Sequence, residues 1–186
     1  MGFLTEAEYL ARERQAEHKS EYFGGEIFAM FGARRTHVRL TGRIWRRLLE
    51  QLDGRDCEAY AADLRVRTGS TGLYTYPGVV VVCGEQKFLD KELDTLLNPT
   101  LVLEILSPST EAYDRGRKFE QYRGIESLRE YVLVDQQSPS IECFLLQPDG
   151  GWLLHAHTGL DAVARLESID CQLALRDVYD GVLAAI

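Results

Sequence analysis

The chain has 186 residues, 45% of them hydrophobic, which is enough for one domain with a substantial core and gives no reason to expect a second. Its formal net charge of −8 excludes a protein that coats nucleic acid by bulk attraction, since lysine and arginine drive phosphate binding. No apolar run approaches the roughly 18 residues of a membrane span, and Met1-Gly2-Phe3-Leu4-Thr5-Glu6 lacks the basic and apolar regions of a signal peptide, so a cytoplasmic protein without membrane attachment is expected.

In chain order, Thr5-Glu6-Ala7-Glu8 fits a capping box and predicts a helix from about residue 6 to about 17. Gly24-Gly25 is a two-residue hairpin signal between Glu21-Tyr22-Phe23 and Glu26-Ile27-Phe28-Ala29-Met30. A helix from about 34 to 52 follows, ending near Asp53-Gly54. Arg35, Arg39, Arg43 and Arg47 recur along it at every fourth residue, which sets them in a basic stripe. Like charges at that spacing repel and invite an anion; the stripe is read as a nucleic-acid contact or as a solvated face paired with acids from elsewhere. His37, at the start of this helix, is a candidate phosphate contact or a surface or core filler.

The alternation from Cys57 to Arg67 predicts a half-buried strand, and Tyr74 to Cys83 predicts the next. Residues 84–99 do not resolve into an element. Leu101-Val102-Leu103-Glu104-Ile105-Leu106 reads as a buried strand, followed by a helix from about 112 to 123. Strands are expected at Glu130–Val134, Ile141–Leu146 and Trp152–His155, a further extended piece at Leu173–Leu175, and a short helix around Asp177 to Leu183. The fold class is therefore α/β, a central mixed sheet flanked by helices. Cys57, Cys83, Cys143 and Cys171 are far apart in sequence and are expected to be reduced core or strand residues.

Glu104 interrupts an apolar run. A buried ionised carboxylate costs several kcal/mol unless a cation or donors compensate it. Lys118 lies on the following helix and is the natural partner, in a functional site or as a plain ion pair at the edge of the core.

The hairpin, Ala62-Asp63-Leu64-Arg65-Val66, the step Tyr76-Pro77-Gly78-Val79, the Glu104 strand and Tyr113-Asp114-Arg115-Gly116-Arg117-Lys118 occur in one order. Together, from about residue 5 to about 160, they resemble the Putative restriction endonuclease family of the PD-(D/E)XK nuclease superfamily. The resemblance implies a restriction-endonuclease-like fold and an endonuclease that hydrolyses DNA with Mg2+ or Mn2+. It further implies a first metal carboxylate from a Pro-Asp step, a second from Glu104, and Lys118 moved from the strand, where Leu106 stands, to the helix. Here the Pro-Asp position is Pro77-Gly78, and glycine offers no ligand. Gly78 thus marks a lost carboxylate, or the start of a strand in an unrelated fold. Asp63 is a candidate replacement if its strand neighbours Gly78, its alternative being a pairing with Arg65 or Arg115.

In such a site magnesium would take Glu104 and the Ile105 backbone carbonyl as ligands, with Lys118 orienting water or offsetting charge. Glu26 would hold a metal-bound water from the hairpin, or be a surface residue. Two-strand cleavage is simplest with two copies, so a homodimer is expected. The other function open to this sequence is a non-catalytic protein of the same fold that binds nucleic acid or a protein partner.

Overall fold

The computed structural model describes residues 3–30, 32–69 and 72–183. Helix α1 (Glu6–Glu13) opens with the expected capping box: the Glu8 amide donates to the Thr5 hydroxyl at 3.2 Å, and the Thr5 amide donates to Glu8 Oε2 at 2.8 Å. It stops short of residue 17. Glu13 turns inward, accepting from the Ser20 amide at 2.7 Å and the Tyr76 hydroxyl at 2.9 Å, and draws the chain back against the next strand. Strands β1 (Ser20–Phe23) and β2 (Glu26–Ala29) form the hairpin, with φ of +59° and +90° at Gly24 and Gly25, as a two-residue turn requires.

Helix α2 (Arg35–Leu52) buries Leu40, Ile44 and Leu48 completely. The strand expected from 57 to 67 is two, β3 (Cys57–Ala61) and β4 (Arg65–Arg67), because Ala62 takes φ of +53° and the chain passes from one sheet to another. The strand expected from 74 to 83 divides likewise into β5 (Tyr74–Thr75) and β6 (Val79–Cys83), at Tyr76-Pro77-Gly78. Pro77 has no amide to donate to a ladder, so the sheet changes there. Residues 84–99 contain the short strand β7 (Thr95–Leu96), parallel to β4. Strand β8 (Leu101–Leu106) matches expectation. After it α3 (Glu111–Tyr113), a π-helical turn (Asp114–Lys118) and α4 (Phe119–Tyr122) follow one another without a break. The chain closes with β9 (Glu130–Asp135), β10 (Ser140–Leu146), β11 (Trp152–Thr158), β12 (Val163–Leu166), which the sequence did not announce, β13 (Cys171–Ala174) and α5 (Leu175–Tyr179).

The large sheet runs β11-β10-β9-β8-β6-β3, with β8 and β9 parallel and the other pairs antiparallel; a smaller one runs β2-β1-β5-β4-β7, and β12 pairs with β13. Strand parity divides the core. Odd residues of β6 and β8, among them Val79, Val81, Leu103 and Ile105, pack in the cluster with Leu40, Ile44 and Leu48 of α2. Even residues, among them Val80, Val102 and Leu106, pack in the other cluster with Tyr122, Leu128 and Tyr131. Glu104 is even, so it shares its face with α4.

The cysteine reading is corrected in part. Cys57 and Cys83 are direct register partners on β3 and β6, their Cα atoms 4.0 Å apart, and form a disulfide; Cys143 and Cys171 are free and buried. With a sequence separation of 26 between the first two, only the strand pairing brings them together. Among the described residues no helix is long and apolar enough to cross a membrane.

Candidate nuclease site

The site forms where the chain crosses between the two sheets. The Ala62 amide donates to the Gly78 carbonyl at 3.0 Å, tying the two crossings together. Beside them Glu104 leaves β8, 6% exposed, and the Lys118 ammonium meets its Oε1 at 2.9 Å. The π turn and α4 put Asp114, Lys118 and Tyr122 on one side of the helix, four residues apart. The Tyr122 hydroxyl donates to Glu104 Oε1 at 2.9 Å, so this tyrosine holds the same carboxylate oxygen as the lysine. Asp114 Oδ1 lies 3.6 Å from the ammonium. The Gly78 amide approaches Glu104 Oε2 at 3.4 Å, which puts position 78 against the carboxylate, as expected. A Cβ on Gly78 would stand 3.2 Å from the Leu103 carbonyl oxygen and 3.7 Å from the Ile105 amide nitrogen, so the Ile105 backbone also borders the site.

The hairpin contributes a different acid from the one expected. Glu21 Oε1 meets Lys118 at 3.0 Å and accepts from the Thr75 hydroxyl. Glu26 is exposed, opposite Phe23 at the turn, and its side chain makes no hydrogen bond or ion pair among the described residues. The two glutamates share one face of the hairpin, since Glu21 faces Phe28, but Glu26 lies at the far end. The alternation of β1 names Glu21 as the residue facing away from buried Ser20 and Tyr22; which sheet that face meets was not visible in the sequence.

Asp63 does neighbour Gly78 through Ala62, yet its exposed side chain pairs with Lys19 at 2.7 Å, in place of Arg65 or Arg115. Arg65 is buried against Asp94 at 2.7 Å, and Arg115 pairs with Glu111 and Glu142. Lys19, absent from the expected site, also donates to the Ala62 carbonyl at 2.9 Å. His37 is half-buried; burial lowers its pKa and the charges of Lys118 and Lys19 lower it further, which puts the imidazole within their field. The arginine stripe divides. Arg43 donates to the Asp177 carbonyl and pairs with Asp180 at 3.2 Å, and Arg47 pairs with Asp177 and Glu50, both at 3.1 Å. Arg35 and Arg39 make no ion pair among the described residues.

Three carboxylates thus surround one ammonium. Burial raises Glu104 to about 7 against the opposing pull of Lys118, and the Asp114 charge adds to the rise. Burial raises Asp114 as well. For Lys118 burial acts downward, but Glu104, Glu21 and Asp114 outweigh it and hold the ammonium charged. The cluster is short of positive charge. Among the described residues no three of His, Cys, Asp and Glu are grouped so as to hold a metal ion alone. Two carboxylates nonetheless keep an oxygen largely free: Glu21 Oε2 has no partner among the described residues, and Glu104 Oε2 has only the long contact from Gly78. A set of two carboxylates with unbalanced charge fits magnesium, which usually takes one or two carboxylates, keeps its waters and is completed by substrate phosphate.

Residues 6–176 match the model of the Uma2 family, described as Putative restriction endonuclease. Two Synechocystis sp. proteins are similar in sequence. The protein slr1290 is 37% identical over 179 residues, covering 96% of this chain and 93% of that one. The protein sll1609 is 40% identical over 159 residues, covering 86% and 90%. In three dimensions the chain is similar to a crystal structure from Anabaena variabilis described as a putative nuclease belonging to DUF820, with a TM-score of 0.78, 19% identity, and 97% and 99% of the two chains covered. The fold is restriction-endonuclease-like, and the chain belongs to the Uma2 family, Putative restriction endonuclease.

Proposed function

We propose that the chain is a magnesium- or manganese-dependent DNA endonuclease whose cleavage is weakened at Gly78. One juxtaposition supports this reading above the rest: the Lys118 ammonium 2.9 Å from Glu104 Oε1, with the Gly78 amide at the other oxygen of the same carboxylate. When bound, the metal would make water nucleophilic near neutral pH and relieve charge on the phosphoryl oxygens. Glu104 and Glu21 would hold it through their free oxygens, with the Ile105 carbonyl a further ligand. Lys118 aligns both carboxylates and adds positive charge where negative charge develops in the transition state. Tyr122 fixes the Glu104 rotamer by its hydrogen bond. His37, whose imidazole lies in the field of Lys118 and Lys19, would contact a phosphate of the substrate.

Loss of one transition-state contact costs about 100- to 1,000-fold in rate, so wild-type cleavage should be weak or absent. The test compares nicking of supercoiled DNA by wild type and Gly78→Asp, with Mg2+ and Mn2+. A gain of about 100-fold is expected. Lys118→Ala should abolish that gain. An added Cβ meets the Leu103 carbonyl at 3.2 Å, so a thermal melt must show that the variant stays folded. A folded Gly78→Asp with no gain would sink the reading. In that case the second reading, a non-catalytic member of the family that binds nucleic acid or a protein partner, stands; the glycine itself favours it.

A further inference from the structure

Helix α2 carries a second feature apart from the site. Val38, Gly42, Trp45 and Leu49 recur at helical spacing and form an apolar stripe on its outer side. Val38 is 57% exposed, Trp45 37% and Leu49 41%, and a Cβ on Gly42 would meet nothing within 4 Å. The charges at the ends of this helix oppose its dipole. Arg34 and Arg35 stand at the N-terminal end, where there is no acid in the first turn, and Glu50 and Asp53 stand at the C-terminal end, where there is no base in the last. Arg34, Arg35 and Asp53 are exposed and make no ion pair among the described residues. Next to Leu49 the surface sinks into a recess of about 730 Å³, with Leu52 and Ala59 as apolar lining and Glu50, Asp53 and Glu58 as acids. Arg55 also lines it, but its guanidinium is bound to the carbonyls of Ile169 and Asp170.

We propose that this face binds a second copy of the chain, two α2 helices packing antiparallel about a twofold axis. With the axis between Arg43 and Ile44, Val38 faces Leu49 of the partner copy, Gly42 makes room for the partner's Trp45, and Arg34 meets the partner's Asp53. Each facing pair occurs twice, as an isologous interface demands. Arg34 of one helix lies over the acidic recess of the other, so an end charge that opposes its own dipole meets an opposite dipole and opposite side chains. A single helix pair makes a small interface, so association in the micromolar range is expected, about −8 kcal/mol on conversion.

Sedimentation velocity from about 1 to about 200 μM, a range bracketing micromolar dissociation, should show wild type moving from monomer to dimer, with Trp45 emission shifting to shorter wavelength. Arg34→Asp and Asp53→Arg place like charges at both ends of the seam and should each weaken the dimer at least about 10-fold. Mixed in equal amounts they should pair at wild-type strength, as should the double variant. Both changes put a charge that the dipole favours at a helix end, so neither threatens folding. A chain that stays monomeric throughout would overturn the proposal. So would a dimer that survives Val38→Glu or either charge change, since that dimer forms elsewhere, for example at the open edge of β11. The measurement needs neither metal nor cleavage, so its failure leaves the nuclease reading untouched, and the reverse holds.

Discussion

Glu104 sits in the middle of the large sheet with more acid than base around it, and the charge imbalance sets a pH dependence. Its pKa is raised above the ordinary 4.5 to about 7, burial being the main cause. A group with a raised native pKa binds more protons when folded, so its contribution is full below about 4.5 and is lost as pH rises through about 7. Thermal melts should therefore show a wild-type midpoint that falls between about pH 5 and pH 8. Glu104→Gln should flatten that slope and melt higher than wild type at pH 8, because Glu21 and Asp114 still balance Lys118. A variant less stable than wild type at pH 8 would mean that the carboxylate is compensated by partners already present. At this scale the sequence was informative where a residue broke its own pattern. Glu104 in an oily strand needed a cation, and Lys118 was within a turn and a helix of it. Glu21 broke no pattern, and Glu26 on the same face looked equally apt. Only the pairing of β1 with β5 decides between them.

Helix α2 was predicted in its extent, but the use of its arginines was not. Their fate depends on α5 and the residue that ends it, more than a hundred residues away, where Asp177 and Asp180 take up Arg43 and Arg47. These pairs are partly exposed and worth about 0–1 kcal/mol each. Neutralising Arg43 should accordingly leave DNA affinity and its salt slope nearly unchanged, whereas Arg35→Ala with Arg39→Ala should weaken binding and flatten the slope by about two units if both contact phosphate. Equal effects of the two changes, measured by fluorescence anisotropy across a salt series, would show that the α5 acids do not hold the arginines back. A second element-scale consequence concerns β3, the edge strand that the Cys57–Cys83 bond joins to β6. The bond closes a loop with a sequence separation of 26, for which chain entropy predicts about 3.5 kcal/mol. Denaturant melts of a Cys57→Ser, Cys83→Ser variant should show a loss of that order, and a loss below about 1 kcal/mol would mean that the β3–β6 ladder needs no bond to persist. Local periodicity cannot reveal such a bond, since nothing near either cysteine names the other.

At the scale of the whole molecule, fold class was legible because mixed helix and strand patterns and the order of motifs agreed. What stayed hidden was the division into two sheets. Two predicted strands were right in their place and wrong in their continuity, since Ala62 and the Tyr76-Pro77-Gly78 step each transfer the chain from one layer to the other. Both transfers occur at the site. Glu21 belongs to the small layer, Glu104 to the large one, and Lys118 pins the two together from a helix that belongs to neither. The ammonium is thus a rivet through a lap joint. Whatever loosens the joint, whether an incoming phosphate that competes for the lysine or a substitution that removes it, alters the spacing of the two acids without touching either, so their capacity to share an ion is set by how firmly two plates of the protein are fastened.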